Sequence, residues 1–318
     1  MSSPRTSLIA AALTAAALLP SAVAEGATTT LSPEQSATRV AAWESTIMWS
    51  RLDPASGRYG LLKSVDGGAP AAVAVAPRSG GPFDVDLGTS RSGSTIAVYT
   101  RGGDIYRLNV ATGAETKVAK LGSPKRVKRS PTIQRGLIAF VQRNGRFDEL
   151  RIGNVSGGAQ GSRLLARSAS ILHAELGDRH IAYVTSAPTE FGGEQQMHIR
   201  NLATGSDRVV YRARSGGANF ANITRASYVS EPAGFLWART NIGSGSGSRI
   251  VRYTLRGSKL DYAQGSRRYI STAWANAALG AVTTSTLAAG ETPDTCIDGD
   301  FDYCGVMLTG PLTFGLKP

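Results

Sequence analysis

Short apolar runs recur along the chain, each bracketed by polar and glycine-bearing segments: "TIMWS" from Thr46, "TIAVY" from Thr95, "LIAFV" from Leu137, "HIAYV" from His180 and "GFLWA" from Gly234. A second motif travels with the first. "SVDGG", "NVATG", "NVSGG", "NLATG" and the weaker "TLRGS" begin at positions 64, 109, 154, 201 and 254, in steps of 45, 45, 47 and 53. Runs of β-branched and aromatic residues this short predict strands, and the glycines supply positive φ where the chain reverses. Each unit therefore reads as strand, polar turn, strand, glycine turn, strand.

Self-similarity at 40 to 50 residues with several strands per unit predicts an all-β fold, a β-propeller whose blades bury their faces against one another. The repeated Asn/Ser-to-Gly phrase is expected to be the tight connection between the third and outermost strands of each blade. Five repeats account for about 38 to 265, and the tail supplies strand content in "YISTAWANAALGAVTTST" and "YCGVMLTG". The predicted architecture is one domain over 38–318 with six four-stranded blades at about 38–80, 83–122, 128–168, 170–214, 219–265 and 269–318. Ring closure could borrow the stretch Arg39 to Ala42.

The first 24 residues carry Arg5, an apolar run from Leu8 to Leu19 and a small-x-small site at Ala22-Val23-Ala24. This pattern predicts a secretory signal peptide cleaved after Ala24, with a short leader over 25–37 and a secreted or extracytoplasmic mature chain. No later segment approaches a membrane span in length.

Charge narrows the partners. Against 23 Asp and Glu stand 35 Lys and Arg, for a formal +12, and loss of Arg5 with the leader leaves +11. The dense run is "KRVKR", a candidate basic patch of Lys125, Arg126, Lys128 and Arg129. In an exported chain this balance favours a protein or an anionic cell-envelope polymer as partner. No nucleic-acid-binding motif accompanies the charge, so nucleic acid is not expected. A monomer is expected.

Chemistry is sparse. The two cysteines, Cys296 and Cys304, flank a short loop and are expected to form a disulfide in an oxidising compartment. That loop carries Asp298, Asp300 and Asp302, a weak Ca²⁺ candidate that lacks the helix-loop-helix calcium template. No other cofactor is indicated. No nucleophile elbow, zinc motif, P-loop or dinucleotide fingerprint occurs. What remains is a set expected at the mouth of the central channel: Asp84, Asp86, His173, Glu175, Arg225 and Trp274. Two carboxylates flanking a cavity could serve glycoside hydrolysis, or could simply hydrogen-bond at the blade junctions.

The span "DLGTSRSGSTIAVYTRGGDIYRLNVATGAETKV" (86–118) resembles the repeat of TolB-like, WD-repeat-like propellers of exported bacterial proteins, with Ser92-Gly93, Ile105-Tyr106 and Thr112-Gly113 at the matching points. The family's Ser-Pro-Asp-Gly turn is degraded here, and there is no room for the N-terminal α/β domain of the TolB proteins. The resemblance implies a rigid scaffold presenting loops to a partner. Two functional expectations follow: a secreted non-catalytic binding or scaffold module, or a polysaccharide-active lyase or hydrolase using channel-mouth carboxylates.

Overall fold

The computed structural model describes residues 29–34, 39–123, 125–156, 161–189, 192–216, 220–231, 233–242, 248–263, 269–276, 281–287, 305–309 and 314–315. Among the described residues every helix or strand element is a strand. The apolar runs explain why. In "TIAVY", Ile96 and Val98 lie against Ile133, Ile138 and Phe140 of the following sheet, whereas Ala97 and Tyr99 lie against Met48, Leu61 and Phe83 on the other side. Side chains alternate across a strand, so a strand covered on both faces must be apolar at successive positions. The run is continuous because each sheet is sandwiched.

The strands group in chain order. The first sheet holds Val40–Trp43, Thr46–Asp53, Arg58–Val65 and Ala71–Ala72; the second, Asp86–Thr89, Thr95–Arg101, Asp104–Asn109 and Glu115–Lys117. The third holds Lys128–Gln134, Leu137–Asn144, Phe147–Asn154 and Ser162–Ser168; the fourth, Ile171–Leu176, His180–Thr189, Gly192–Asn201 and Asp207–Gly216. All four are antiparallel meanders. The five apolar runs occupy the second strand in each of the first five sheets, as their shared pattern predicts.

Two sheets depart from the simple repeat. In the fifth, the inner strand is interrupted at Thr224–Ala226, so Phe220–Ile223 and Ser227–Ser230 both pair with Gly234–Ile242. This sheet continues through Ser248–Thr254 and Lys259–Ala263 and gains Phe314–Gly315 at its edge. The expectation of six four-stranded blades is thus corrected: among the described residues five sheets have four strands, and this one has six. The last sheet runs Tyr269–Asn276, Ala281–Leu287, Gly305–Thr309, and is completed by Thr29–Pro33 pairing with Gly305–Thr309. Closure therefore uses a strand from the stretch expected to be a leader. Arg39 to Ala42 does not close the ring; Val40–Trp43 opens the first sheet instead.

Inner strands touch in succession: first sheet to second, second to third, third to fourth, then through Ser227–Ser230 to Tyr269–Asn276 and back to Val40–Trp43. The result is a closed ring that leaves few strand edges unpaired in its interior. Cys296, Cys304, Asp298, Asp300 and Asp302 and the signal segment lie outside the described residues. No helix among the described residues is long and apolar enough to cross a membrane.

The repeated phrase is a repeated structure. Asn109 Oδ1 accepts from the Ala111 and Thr112 N–H groups (3.0 Å each), and Asn201 Oδ1 accepts from Ala203 and Thr204 (2.9 and 3.0 Å). Gly113 and Gly205 then take φ of 72° and 76°, and each N–H returns to the carbonyl of that same Asn. A side-chain acceptor organising the turn and a glycine in the left-handed region are what Asn and Gly supply at those positions.

Candidate functional site in the central channel

The polar candidates lie on the inner strands or immediately beside them: Asp86 opens Asp86–Thr89 with Asp84 just ahead, His173 and Glu175 lie within Ile171–Leu176, and Arg225 lies between Phe220–Ile223 and Ser227–Ser230. Of the sequence candidates, Asp84, Asp86, His173, Glu175 and Arg225 are 7, 4, 8, 4 and 6% exposed. They are buried in the channel wall rather than displayed at its mouth. Arg225 sits in the break of the fifth sheet's inner strand, and the broken strand lets its long side chain cross the ring. Its Nη2 lies 3.0 Å from Asp86 Oδ1 and 3.4 Å from Glu175 Oε2, while Nη1 donates to the Val85 carbonyl (2.9 Å) and Nη2 also to that of Pro131 (3.1 Å). One guanidinium thereby joins the second, third and fourth sheets to the fifth.

The carboxylates are equally engaged. Ile133 N–H donates to Asp86 Oδ2 (2.8 Å), and Tyr228 N–H donates to Glu175 Oε1 (3.2 Å). Asp84 accepts from Thr100 N–H (2.8 Å), Thr100 Oγ1–H (2.7 Å) and Ser130 N–H (2.8 Å), with Arg78 Nη1 at 3.5 Å. Thr132 Oγ1 accepts from Leu176 N–H (2.9 Å) and lies 3.4 Å from Glu175 Oε2.

Against known proteins, no family model and no curated protein matches the chain. Solved structures do. An oligogalacturonate lyase from Vibrio parahaemolyticus superposes with a TM-score of 0.54 at 6% identity, over 91% of this chain and 94% of that one. TolB from Acinetobacter baumannii gives 0.50 at 13% identity, over 86% and 67%. The WD40 repeats of RRP9 give 0.51 at 11%, over 89% and 99%. The fold is a TolB-like β-propeller. At these identities the likeness carries architecture and no chemistry.

Inside the propeller the electrostatics follow from burial. Glu175 is raised to about 8 by desolvation first and by the neighbouring Asp86 second, with Arg225 opposing. Asp86 is raised by burial, against the pull of Arg225 and the Ile133 N–H. Burial lowers Arg225, but Asp86, Glu175 and Asp84 outweigh it and hold the guanidinium charged. His173 is pushed down to about 3, by burial first and then by Arg39 and Arg225. Burial thus disfavours the charged forms of both His173 and Glu175.

The structure brings together Asp86, Glu175 and Arg225 directly, and places Asp84 and His173 in the same electrostatic field. Trp274 lies on the inner strand Tyr269–Asn276 of the last sheet, and its side chain lies outside the described residues. The basic run is not an open patch. Lys128 is buried against Asp104 (3.5 Å), Arg129 pairs with Asp148 (2.6 Å) and the Ile171 carbonyl, and Arg126 lies 3.8 Å from Glu149; Lys125 is exposed. The reason is that an inner strand starts at Lys128, which draws the second half of the run inside.

Reasoning from sequence missed Thr132, Ser130 and Arg39 as channel residues. A signal existed for the first two: "SPT" precedes "IQRG" where the second blade has "DVDLGTSRSG", so both fall on an inner strand by register. Arg39 had none, because it stands at the very start of the first predicted blade, where no repeat motif marks it.

Proposed function

We propose that this chain is an extracytoplasmic, non-catalytic propeller that serves as a binding scaffold for a protein or anionic envelope partner. One observation carries the reading. The side chains that resemble catalytic acids perform the same hydrogen-bonding task at equivalent junctions, and at one junction that task falls to a threonine. Asp86, Thr132 and Glu175 accept respectively from the N–H groups of Ile133, Leu176 and Tyr228. Those three donors pair with Ile138, Ile181 and Phe235, the second residues of three apolar runs, and so stand at equivalent places. A role that a hydroxyl fills equally well is structural.

Export supports an envelope setting, through the predicted cleavage after Ala24. The neighbours support a scaffold role: a chain from a mitotic checkpoint complex, at a TM-score of 0.50 and 12% identity, comes from a multi-protein assembly. A polysaccharide lyase is the second reading. It is favoured by the lyase with a TM-score of 0.54 and by Glu175, which retains its proton near neutrality. Capture experiments with the mature protein against envelope and wall fractions, run beside a glycan-cleavage assay, separate the two. Scaffold function predicts a specific retained protein or wall polymer and no turnover. Cleavage that disappears in both Asp86→Asn and Glu175→Gln would establish the lyase.

A further inference from the structure

The third sheet ends in a hairpin tip where arginines outnumber the acids that hold them. Asp148 and Glu149 follow the turn at 144–147, and both are buried. Arg126, Arg151 and Arg167 converge on Glu149 at 3.8, 3.0 and 2.8 Å, and Arg129 and Arg143 on Asp148 at 2.6 and 3.2 Å. Neighbouring residues of a strand send their side chains to opposite faces, so arginines flank the tip on both sides. The hydrogen bond from Asn144 is the largest influence on Glu149, and with those from Gln142, Arg167 and Arg151 it holds the carboxyl down at about 2 against burial. Burial is the largest influence on Asp148, yet the Ile171 N–H and Arg129 together lower it. With both acids ionised, five guanidiniums still share two negative charges.

The surplus lies on the outside. The side chains of Arg126, Arg143 and Arg167 are 36, 54 and 51% exposed, against 3 and 2% for Glu149 and Asp148. Arg126 stands beyond hydrogen-bond reach of Glu149. Two further cations pair with no acid among the described residues: Lys125, exposed beside Arg126, and Arg146 at the tip, whose guanidinium lies 5.0 Å over the Phe147 ring.

Between this tip and that of the second sheet runs the linker at 125–127. Val127 is 66% exposed, more than any other large apolar side chain among the described residues. Its Cα lies 3.6 Å from where a Cβ would stand on Gly103, in the second sheet's tip, and the Lys128 N–H donates to the Gly103 carbonyl (3.1 Å). Asp104 at that second tip does not offset the arginines, because Lys117 (2.6 Å) and Lys128 (3.5 Å) already match it. An apolar side chain presented amid guanidiniums, with an aromatic ring nearby and arginine in place of lysine, is the composition of a protein-binding surface. A bare polyanion has no use for the valine.

We propose that the hairpin tips of the second and third sheets, with the linker at 125–127 between them, dock an acidic segment of a partner protein, whose carboxylates take the open guanidinium donors and whose apolar side chain covers Val127. Carboxylate is the group these arginines already hold at Asp148 and Glu149, and the guanidinium fork matches it. The inference rests on the reading of this chain as a binding scaffold, and it names the surface and the class of partner.

The test uses the full mature chain and three fluorescent synthetic peptides: one with Glu residues around a central Leu, one with Gln for every Glu, and one with Gly for the Leu. Anisotropy titrations at neutral pH should show the acidic Leu peptide binding about tenfold or more tighter than its Gln counterpart, and weakening as salt is raised. Arg126→Glu combined with Arg146→Glu should weaken that binding about tenfold or more at an unchanged melting temperature, since neither guanidinium makes a hydrogen bond among the described residues. Val127→Ser should weaken the Leu peptide about threefold and leave the Gly peptide unchanged. Equal binding by the double variant would overturn the proposal. So would polyphosphate that binds tighter than the acidic peptide while Val127→Ser leaves both unchanged, which would assign the surface to a bare polyanion. No envelope material enters these titrations, so either result sinks the docking surface alone, whereas a capture experiment that retains nothing counts against the scaffold reading itself.

Discussion

Removing the Asp84 carboxylate should loosen the junction between the second and third sheets by an amount that can be worked out bond by bond. Asp84 is 7% exposed and accepts from the N–H groups of Thr100 and Ser130 and from the Thr100 hydroxyl. Asp84→Ala leaves two buried backbone donors unsatisfied, each costing about 1–3 kcal/mol. It also takes the counter-charge from Arg78, 3.5 Å away and only partly exposed. The total is about 4 kcal/mol. Asp84→Asn keeps one carbonyl oxygen, which can serve Thr100, but turns an NH₂ toward the Ser130 N–H. It should cost about half as much. Thr100→Val removes only the hydroxyl donor and should cost about 1 kcal/mol. Urea unfolding at neutral pH reads all three, provided each variant keeps a single transition with the wild-type slope. A loss below about 1 kcal/mol for Asp84→Ala, or equal losses for the Ala and Asn variants, would show that the carboxylate is not the staple described.

Other expectations follow from the same geometry. Glu175 holds a proton in the folded chain up to about 8 that the unfolded chain releases near the ordinary glutamate value, so its contribution to stability falls as pH rises between the two. Glu175→Gln should therefore flatten the alkaline limb of a melting-temperature profile, and an unchanged profile would count against a buried neutral acid. His173 runs the other way. Its depressed value of about 3 means that stability is lost as pH falls below the ordinary histidine range, and His173→Gln should reduce that acid sensitivity. Gly88→Ala places a Cβ 2.2 Å from the Ile133 carbonyl oxygen; overpacking of backbone on backbone should cost about 3 kcal/mol and lower the melting temperature of the whole ring. Asn109→Ala removes a turn acceptor on an exposed edge and should cost about 1 kcal/mol, seen as faster amide exchange confined to the second sheet.

The repeats were legible because a sandwiched sheet leaves a mark that a single residue cannot erase. "TIAVY" and "LIAFV" must be apolar on both faces, and Asn109 and Asn201 must accept two N–H groups in a tight turn. The closing strand was not legible. Thr29–Pro33 pairs through its backbone with Gly305–Thr309, and backbone pairing asks little of side-chain type at a sheet edge. The break at Thr224–Ala226 was hidden for a different reason: the flanking segments still look like strand, and only the route of Arg225 across the ring explains why the strand stops. Residue type located the channel acids, whereas their partners, Thr132 and Ser130, are chemically ordinary and could be found only by register.

That contrast bears on how propeller channels should be read. A carboxylate on an inner strand attracts a catalytic interpretation because acids are rare in buried positions. Yet the ring geometry creates a demand of its own: inner strands of adjacent sheets diverge from one another, so N–H groups such as those of Ile133, Leu176 and Tyr228 point at the neighbouring sheet with no strand to receive them. Any acceptor of the right length answers, whether Asp86, Thr132 or Glu175. Away from the inner strands the same device recurs, with Asp148 accepting from Ile171 N–H and Gln195 from Ile223 N–H. When acid, amide and hydroxyl share one task, the acid's charge is incidental to it, and a cation must then be recruited wherever an acid was chosen. Arg225 answers Asp86 and Glu175, and Arg129 answers Asp148. Charge in this channel is therefore a consequence of stapling the ring, and a group that stapling does not account for is His173, whose buried Nε2 has no hydrogen-bond partner among the described residues.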